Sequence, residues 1–417
     1  MHKKLFVVFG LLLTAPVVQA LELTIQDAES VAIAQDPVIV HHQAHASAMM
    51  EEAIAAGSLP DPKVKLGIIN LPTSFSFTDE PMTQTRIGVQ QMLPPAGLLS
   101  AKQDKFRMKA EKHRAITMAR ALEVLRNLRK SWMDVYFQSE ALKLVKESQG
   151  VFEQLVKITQ YQYRAGRGKQ HDVVRAQLES SLLADREIQI MQDRESAIAV
   201  LEKWTGASIR QHTLSSVFPT LPTLPEESVL QGNVAFHPKV AAAKANLAVA
   251  RKNVAIARSK YKPSFMIDVN YGFRGGQNMD AEMTSRADFI TAMVSMDMPF
   301  FTSRRQDRHL NARGHELNAA GDAVKNAQRE LQRVLDVNYA NWIRLGERLA
   351  FYKEQVLPQA GQFSEASRKA YQSRVSDFSE LARARLRELE ANLQYLKLRT
   401  NRAKAHYDLQ YLAGEAG

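Results

Sequence analysis

The sequence of 417 residues contains no cysteine. This excludes a disulfide framework, a cysteine-ligated zinc site and a redox centre built on thiols. After the first twenty residues there is also no uninterrupted apolar stretch of about 20 residues, the length that a membrane-spanning helix needs. If the chain enters a bilayer integrally, it must therefore do so with β-strands.

Proline is missing from two long stretches. Residues 98–163 contain no proline and a single glycine, Gly150, and their apolar residues recur at helical spacing. Residues 303–356 also lack proline and keep the helical spacing of apolar residues. A helix of about 65 residues would be on the order of 100 Å long at 1.5 Å per residue. That length exceeds a compact domain and predicts a coiled coil or a helical barrel.

The motifs of the common enzyme classes are absent as well. The sequence has no glycine-rich phosphate loop, no HExxH pair and no nucleophile elbow. We therefore expect no catalytic activity and no cofactor. The net charge is +11, but the basic residues are interspersed with acidic ones and not gathered in one block, as in residues 380–390. This is the pattern of a solvated helix face, so we expect no nucleic-acid partner.

The first twenty residues have the order of an export signal. His2, Lys3 and Lys4 form a basic start, an apolar run covers residues 5–13, and Ala20 provides a small residue for cleavage. This predicts a signal peptide at residues 1–20 and an exported protein.

The rest of the sequence is an internal duplication. Residues 163–178 recur in residues 371–386 at one constant spacing, with Tyr, an acidic residue, Arg, Ala and Leu in the same order. We predict a first structural repeat at residues 21–218, a stiff proline-rich linker at 219–225 and a second repeat at 226–417.

Each repeat contains two segments in which apolar and polar residues alternate. They predict strands at about residues 62–71, 83–93, 263–273 and 287–299. Strands of about 9–11 residues with an apolar face have the length of transmembrane β-strands. Four strands cannot close a barrel, and an open edge is not tolerated in lipid. Either the strands pair in water, or several copies of the chain pool them, and three copies would supply twelve.

This helix–strand–strand–helix order resembles the outer membrane factor (TolC-like) family. The likeness rests on the duplication, on the Tyr-Arg-Ala-Gly turn at 163–166 with the segment 171–177 after it, and on Thr205-Gly206. The resemblance implies a mainly α fold with a β-barrel part. Long antiparallel helical hairpins would form a trimeric α-helical barrel, and four strands per chain would complete a twelve-stranded barrel in the outer membrane. It implies a homotrimer in outer-membrane lipid, docked on a periplasmic adaptor and an inner-membrane pump.

Residues 59–62, 70–72 and 77–84 are similar to the heavy-metal branch of that family, the CzcC/CusC-like proteins. The expected function is the outer-membrane duct of a tripartite efflux system, carrying heavy-metal cations from an RND-type pump. One alternative is a duct for drugs or for type I protein secretion. Another, of a different class, is a periplasmic coiled-coil scaffold without a pore.

The resemblance also suggests where the periplasmic aperture lies. Its candidate residues are Asp377, Glu380, Arg383, Asp172 and Arg175. Better-known members have a second acidic residue where this chain has Arg383, and an Arg three residues after Glu380 is placed to pair with it. The adaptor-contact candidates at the hairpin tips are Gly166, Arg167, Gly168, Ser373, Arg374 and Ser376. The alternative is that these charges are solvated and that the glycines serve the turns alone.

His41 and His45 are weak candidates for a metal site. They lie four residues apart on one face of a predicted helix, which allows chelation of a borderline metal. A solvated or packed helix face is the alternative. Met279, Met283, Met293, Met296 and Met298 cluster in the second strand pair and suggest either a relay for soft metals or flexible packing.

Overall fold

The computed structural model describes residues 23–206, 208–210, 212, 214–278 and 282–414. The signal peptide expected at residues 1–20 lies outside this part of the chain, as does Met279. The helices are α1 (Ile25–Gln35), α2 (Pro37–Gly57), α3 (Leu98–Arg164), α4 (Gln170–Thr205), α5 (Glu227–Asn233), α6 (Pro238–Ser259), α7 (Gln306–Phe351), α8 (Leu357–Gln372) and α9 (Phe378–Ala413). The strands are β1 (Lys63–Ile69), β2 (Gln84–Leu93), β3 (Ser264–Phe273) and β4 (Phe289–Asp297). Within the described ranges, no helix is both long enough and apolar enough to cross a bilayer.

Proline divides the first helical segment into α1 and α2. Asp36 ends α1 with extended backbone (φ −66°, ψ 115°), because a following proline disfavours the helical conformation. Pro37 then begins α2, where its missing N–H costs nothing.

The four strands form one antiparallel sheet in the order β1-β2-β3-β4. The pairing of β2 with β3 joins the two repeats, from Thr85 opposite Phe273 to Leu93 opposite Phe265. Two strands are shorter than expected. β1 stops before Asn70, whose left-handed φ of 58° cannot continue the pleat. β4 stops before Pro299, which has no N–H for the ladder.

The two faces of this sheet differ in chemistry. Register places one set of apolar side chains on a single exposed face: Val64, Leu66, Ile68, Ile87, Val89, Ile267, Val269, Tyr271, Ile290 and Val294. The opposite face carries Lys65, Arg86, Gln90, Asp268 and Asn270. Lys65 and Asp268 form an ion pair on that polar face.

The second long helix is interrupted where the first is not. α3 is continuous over 67 residues, whereas α7 passes through a π-helical turn at Tyr352–Val356 into α8. Pro358 lies directly after this turn. A proline removes one helical hydrogen bond and clashes with the carbonyl four residues earlier, and the wider turn accommodates it. The helix expected over residues 303–356 therefore begins at Gln306 and includes this turn.

Two compact units are assembled from segments of both repeats. The first unit comprises residues up to Asp36, Val124–Pro222 and Ile343–Tyr407. The second comprises Pro37–Glu123, Thr223–Trp342 and the residues from Asp408 on. The units therefore do not coincide with the predicted repeats, because long helices and paired strands distribute each repeat over both.

Each unit has its own apolar core. In the first unit, one core joins α3, α4 and α9, and its most buried members include Met133, Phe152, Leu183, Phe378, Leu381 and Leu389. A smaller cluster there packs α1 against α3 and α4, through Ile25, Ala28, Leu128, Trp132 and Leu201. In the second unit, α5, α6, α7 and the end of α9 share a core that includes Leu230, Val240, Leu331, Leu335 and Leu412.

A buried polar cluster accompanies the α1 contact in the first unit. The Arg129 guanidinium donates to both carboxylate oxygens of Glu29 at 2.7 and 3.1 Å. Nearby, His406 is only 2% exposed, and its Nε2 has no hydrogen-bond partner in the described part of the chain. Burial, reinforced by the positive charges of Arg129 and Arg402, lowers the pKa of His406 to about 4.

We expect this histidine to make the first unit less stable in acid. Its imidazole binds a proton near pH 6.5 when unfolded but only near pH 4 when folded. The titration of His406 therefore leaves the free energy of unfolding unchanged above about pH 6.5. The free energy of unfolding falls by about 3 kcal/mol as the pH decreases to about 4. Thermal unfolding across this range should show a weaker pH dependence for His406→Gln than for the wild type. Equal slopes would contradict the prediction.

Candidate functional site at the helical hairpin tips

The first hairpin tip is the turn between α3 and α4. Gly166 has a left-handed φ of +70°, and the Arg167 N–H donates to the Gln162 carbonyl at 2.8 Å. A Cβ on Gly168 would lie 3.1 Å from the Gln162 Cβ. The turn itself therefore requires a residue tolerant of positive φ at Gly166 and a small residue at Gly168.

The second tip, between α8 and α9, has the same hydrogen-bond pattern without glycine. Arg374 occupies the position of Gly166 and adopts a φ of +60°. The Val375 N–H donates to the Ala370 carbonyl at 2.9 Å. Val375 itself is 83% exposed. Ser373, Arg374 and Val375 are all exposed, while Ser376 is half-buried.

We expect Arg374→Gly to stabilise the second tip by about 0.5–1 kcal/mol. A left-handed conformation costs a non-glycine residue about 1–2 kcal/mol. Glycine avoids this cost, but it loses more backbone entropy on folding, which offsets part of the gain. The reverse change in the first tip, Gly166→Ala, should destabilise by about 1 kcal/mol. Thermal unfolding of both variants tests this, and a loss of stability in Arg374→Gly would show that its side chain makes a compensating contact.

The two tips contact each other through residue pairs that the sequence pattern did not identify. The Tyr371 hydroxyl donates to Gln162 Oε1 at 2.9 Å. Arg175 Nη1 donates to Ser379 Oγ at 2.8 Å. Phe378, at the start of α9, is 1% exposed and lies in the core of the first unit. The recurring tyrosine was visible in the sequence, but its partner on the other repeat was not.

The candidate aperture residues of the second tip have identifiable partners. Asp377 Oδ1 accepts the Glu380 N–H at 3.0 Å, so this carboxylate caps the N-terminus of α9. Glu380 and Arg383 form the expected i, i+3 pair, at 3.5 Å between Oε2 and Nη1. Both side chains are largely exposed, so the pair is worth little in stability but reduces the net negative charge of this turn.

Asp172 occupies in the first tip the position that Glu380 occupies in the second, and its side chain is more buried than that of Glu380. His171 Nε2 lies 3.1 Å from Asp172 Oδ1, but outside hydrogen-bonding geometry, so that oxygen has no hydrogen-bond donor among the described residues. Burial, together with the negative charge of Asp172, raises the pKa of the Tyr371 hydroxyl. Asp172 and Arg175 therefore lie beside the contact between the tips.

The weak metal candidates lie elsewhere, in the second unit. The rings of His41 and His45 are 4.5 Å apart between centroids. Two further imidazoles join them, because His42 Nδ1 is 3.1 Å from His113 Nδ1 on α3. Burial and the neighbouring histidines lower the pKa of His42 and of His113. However, no three His, Asp or Glu side chains of the described ranges are arranged to hold a metal ion.

Comparison with known proteins identifies the family. Residues 230–415 match the family model described as outer membrane efflux protein. The second half of the chain therefore has the sequence pattern of outer membrane efflux proteins. A comparison with curated protein sequences gave no match.

Solved structures of outer membrane channels have the same fold as this chain. CusC is 14% identical with a TM-score of 0.78, covering 94% of this chain and 92% of that chain. VceC from Vibrio cholerae is 15% identical with a TM-score of 0.76, covering 94% and 96%. The open-state MtrE channel of Neisseria gonorrhoeae is 16% identical with a TM-score of 0.76, covering 94% and 89%.

These findings decide several of the expectations from sequence. The fold class is confirmed, with long helical hairpins and a four-stranded sheet. The family model and these structures support a passive efflux channel of the Gram-negative outer membrane with a periplasmic helical part. These findings favour the channel over the alternative of a periplasmic scaffold without a pore.

Proposed function

We propose that three copies of this outer membrane factor form one efflux duct with a twelve-stranded barrel and a trimeric helical barrel. Each copy contributes two repeats, at residues 21–218 and 226–417, joined by the linker 219–225. The duct receives heavy-metal cations from an inner-membrane RND-type pump through a periplasmic adaptor. The observation that carries the proposal is the sheet, which has a continuous apolar face and two edge strands with no partner among the described residues.

The edges supply the argument for oligomerisation. β1 and β4 each pair on one side only, and an unpaired backbone N–H or carbonyl in lipid costs several kcal/mol. Pairing β4 of one copy with β1 of the next satisfies both edges. A ring of three copies gives twelve strands, an even number within the range of known membrane barrels.

The polar face of the sheet then lines the duct. Met92 lies opposite Met266 in the β2–β3 register, and Met293 lies opposite Asp268 in the β3–β4 register. Thioethers on the polar face suit a soft metal cargo. Lys65 and Arg86 on that face make it unsuitable as a cation filter, so the pump must select the cargo.

The hairpin tips are the proposed adaptor site, with the aperture beside them. Gly166, Gly168, Ser373 and Ser376 let another hairpin approach closely, and exposed Val375 adds apolar contact area. The aperture charges are those of the two corresponding turns: Asp172, Arg175, Asp377, Glu380 and Arg383.

The test is purification from outer membranes followed by reconstitution. We expect a heat-resistant trimer that needs detergent and conducts ions in planar bilayers, whereas a monomer soluble without detergent would overturn the duct. For cargo, a deletion strain should lose tolerance to zinc, cadmium, cobalt, copper or silver. Unchanged tolerance to every metal, with new sensitivity to hydrophobic drugs, would favour the drug-efflux alternative.

We expect Arg383→Glu to raise the cation preference of the reconstituted trimer. The change breaks the pair with Glu380 and makes the net charge near the aperture more negative by two units per copy. Arg387→Glu is the matched control, because Arg387 pairs with Glu390 in the same i, i+3 manner one turn further along α9. Reversal potentials at low salt measure the effect. Equal shifts in both variants would contradict an aperture at Arg383.

A further inference from the structure

A cavity of about 220 Å³ lies in the second unit, where α3, α6 and α7 come closest to the strands. Its polar lining consists of Lys105, Asn253, Lys260, His309 and Arg313. Ile256 and Ala257 complete it, and no carboxylate is part of the lining. Every polar side chain of the cavity is therefore able to donate a hydrogen bond, and three of them are cationic.

The cations of this cavity are incompletely neutralised. Arg313 pairs with Glu316 at 2.6 Å, but the ammonium groups of Lys105 and Lys260 have no hydrogen-bond acceptor or carboxylate partner in the described part of the chain. The pKa of half-buried Lys105 is lowered, first by burial and then by the charges of Lys109 and Arg313, and the nearby negative charge of Glu316 offsets only part of this shift. A half-buried ammonium in a positive environment is costly unless an anion joins it.

The position of the cavity along the chain places it at the membrane boundary. Lys260 is separated by three residues from Ser264, the first residue of β3. β4 ends at Asp297, and the exposed aromatics Phe300 and Phe301 follow, 75% and 82% accessible. Aromatic rings next to membrane strands concentrate at the level of the lipid headgroups. The cavity is thus separated by only a few residues of chain from the ends of the strands, where the phospholipid phosphates lie.

We propose that this cavity binds the phosphate group of an anionic phospholipid from the periplasmic leaflet of the outer membrane. Lys105 and Lys260 are the anchoring cations, and Asn253 and His309 donate to the remaining phosphate oxygens. The location in the outer membrane is that of the family, so the inference does not depend on the metal cargo or on the pump. Free inorganic phosphate carries the same chemistry and is the competing source.

The experiment uses the detergent-purified, delipidated full chain and native mass spectrometry. Phosphatidylglycerol, zwitterionic phosphatidylcholine and inorganic phosphate are added separately. The test variant is Lys105→Gln with Lys260→Gln. The control is Lys325→Gln with Lys353→Gln, which removes the same charge from exposed lysines on α7 and in the π-helical turn. Oligomeric state and conductance are recorded on the same preparations, so failure of the duct and failure of this site are separate results.

We expect phosphatidylglycerol to bind at least about tenfold more tightly than phosphatidylcholine, with about a tenfold loss in the Lys105/Lys260 variant and no loss in the control. Equal binding by the two double variants would overturn the site. Binding of inorganic phosphate without any phosphatidylglycerol adduct would overturn the lipid as its ligand.

Discussion

Glu29→Ala is expected to lower the free energy of unfolding of the first unit by about 3–5 kcal/mol. The Arg129 side chain is 9% exposed and donates two hydrogen bonds to this carboxylate. Removing Glu29 takes two hydrogen bonds and a negative charge away from a buried guanidinium, and this loss dominates the cost. Because this pair lies where α1 packs on α3, unfolding should start with release of α1.

Two controls separate burial from ion pairing as such. Glu330→Ala breaks the exposed pair with Arg333, at 2.6 Å, and should cost less than about 1 kcal/mol. Adding Arg129→Met to Glu29→Ala removes the stranded charge and should recover most of the lost stability. Thermal unfolding and limited proteolysis of α1 measure both effects. A similar cost for Glu29→Ala and Glu330→Ala would show that burial does not matter here.

The regular elements of this fold are readable from sequence because their patterns are long. The 67 residues of α3 contain no proline, and an uninterrupted helical period over that length has few other solutions. β3 alternates apolar and polar residues over its whole length, and the observed strand, Ser264–Phe273, keeps that alternation in its faces. Both are properties of consecutive residues, so a single sequence contains them.

Contacts between the repeats are not properties of consecutive residues. Tyr371 to Gln162 and Arg175 to Ser379 each join positions about two hundred residues apart along the chain. The imidazole pair between His42 on α2 and His113 on α3 lies within the first repeat, but it also joins positions distant along the chain, 71 residues apart. Local spacing identified His41 and His45, but it did not identify the pair of His42 and His113, whose ring nitrogens lie 3.1 Å apart. Long-range packing decides which imidazoles meet.

Local irregularities form a third category, visible in sequence only when their mechanism is applied. Pro37 and Pro358 predict a helix break and a widened turn through the missing N–H and the clash with the preceding turn. Arg374 shows the reverse. Alignment of the two repeats places it on Gly166, which suggests the positive φ that the structure has.

The proposed adaptor docking at the second tip predicts that a substitution there weakens adaptor binding without lowering the stability of the fold. Val375→Asp is expected to lower adaptor affinity at least about tenfold, because it places a charge in an apolar contact. Val375 is 83% exposed, so the free energy of unfolding should change by less than about 0.5 kcal/mol. Val217→Asp is the matched control, an exposed valine of the same unit outside the tips.

Phe378→Ala, three residues further on, is expected to show the opposite balance. Its ring is 1% exposed in the core shared by α3, α4 and α9, and truncating a buried phenylalanine costs about 3–5 kcal/mol. Adaptor binding should then be lost together with protease resistance of the tip. Surface plasmon resonance with the purified adaptor, thermal unfolding and metal tolerance separate the two variants. If Val375→Asp binds the adaptor as tightly as Val217→Asp does, the second tip is not the docking surface, whatever Phe378→Ala does to its fold.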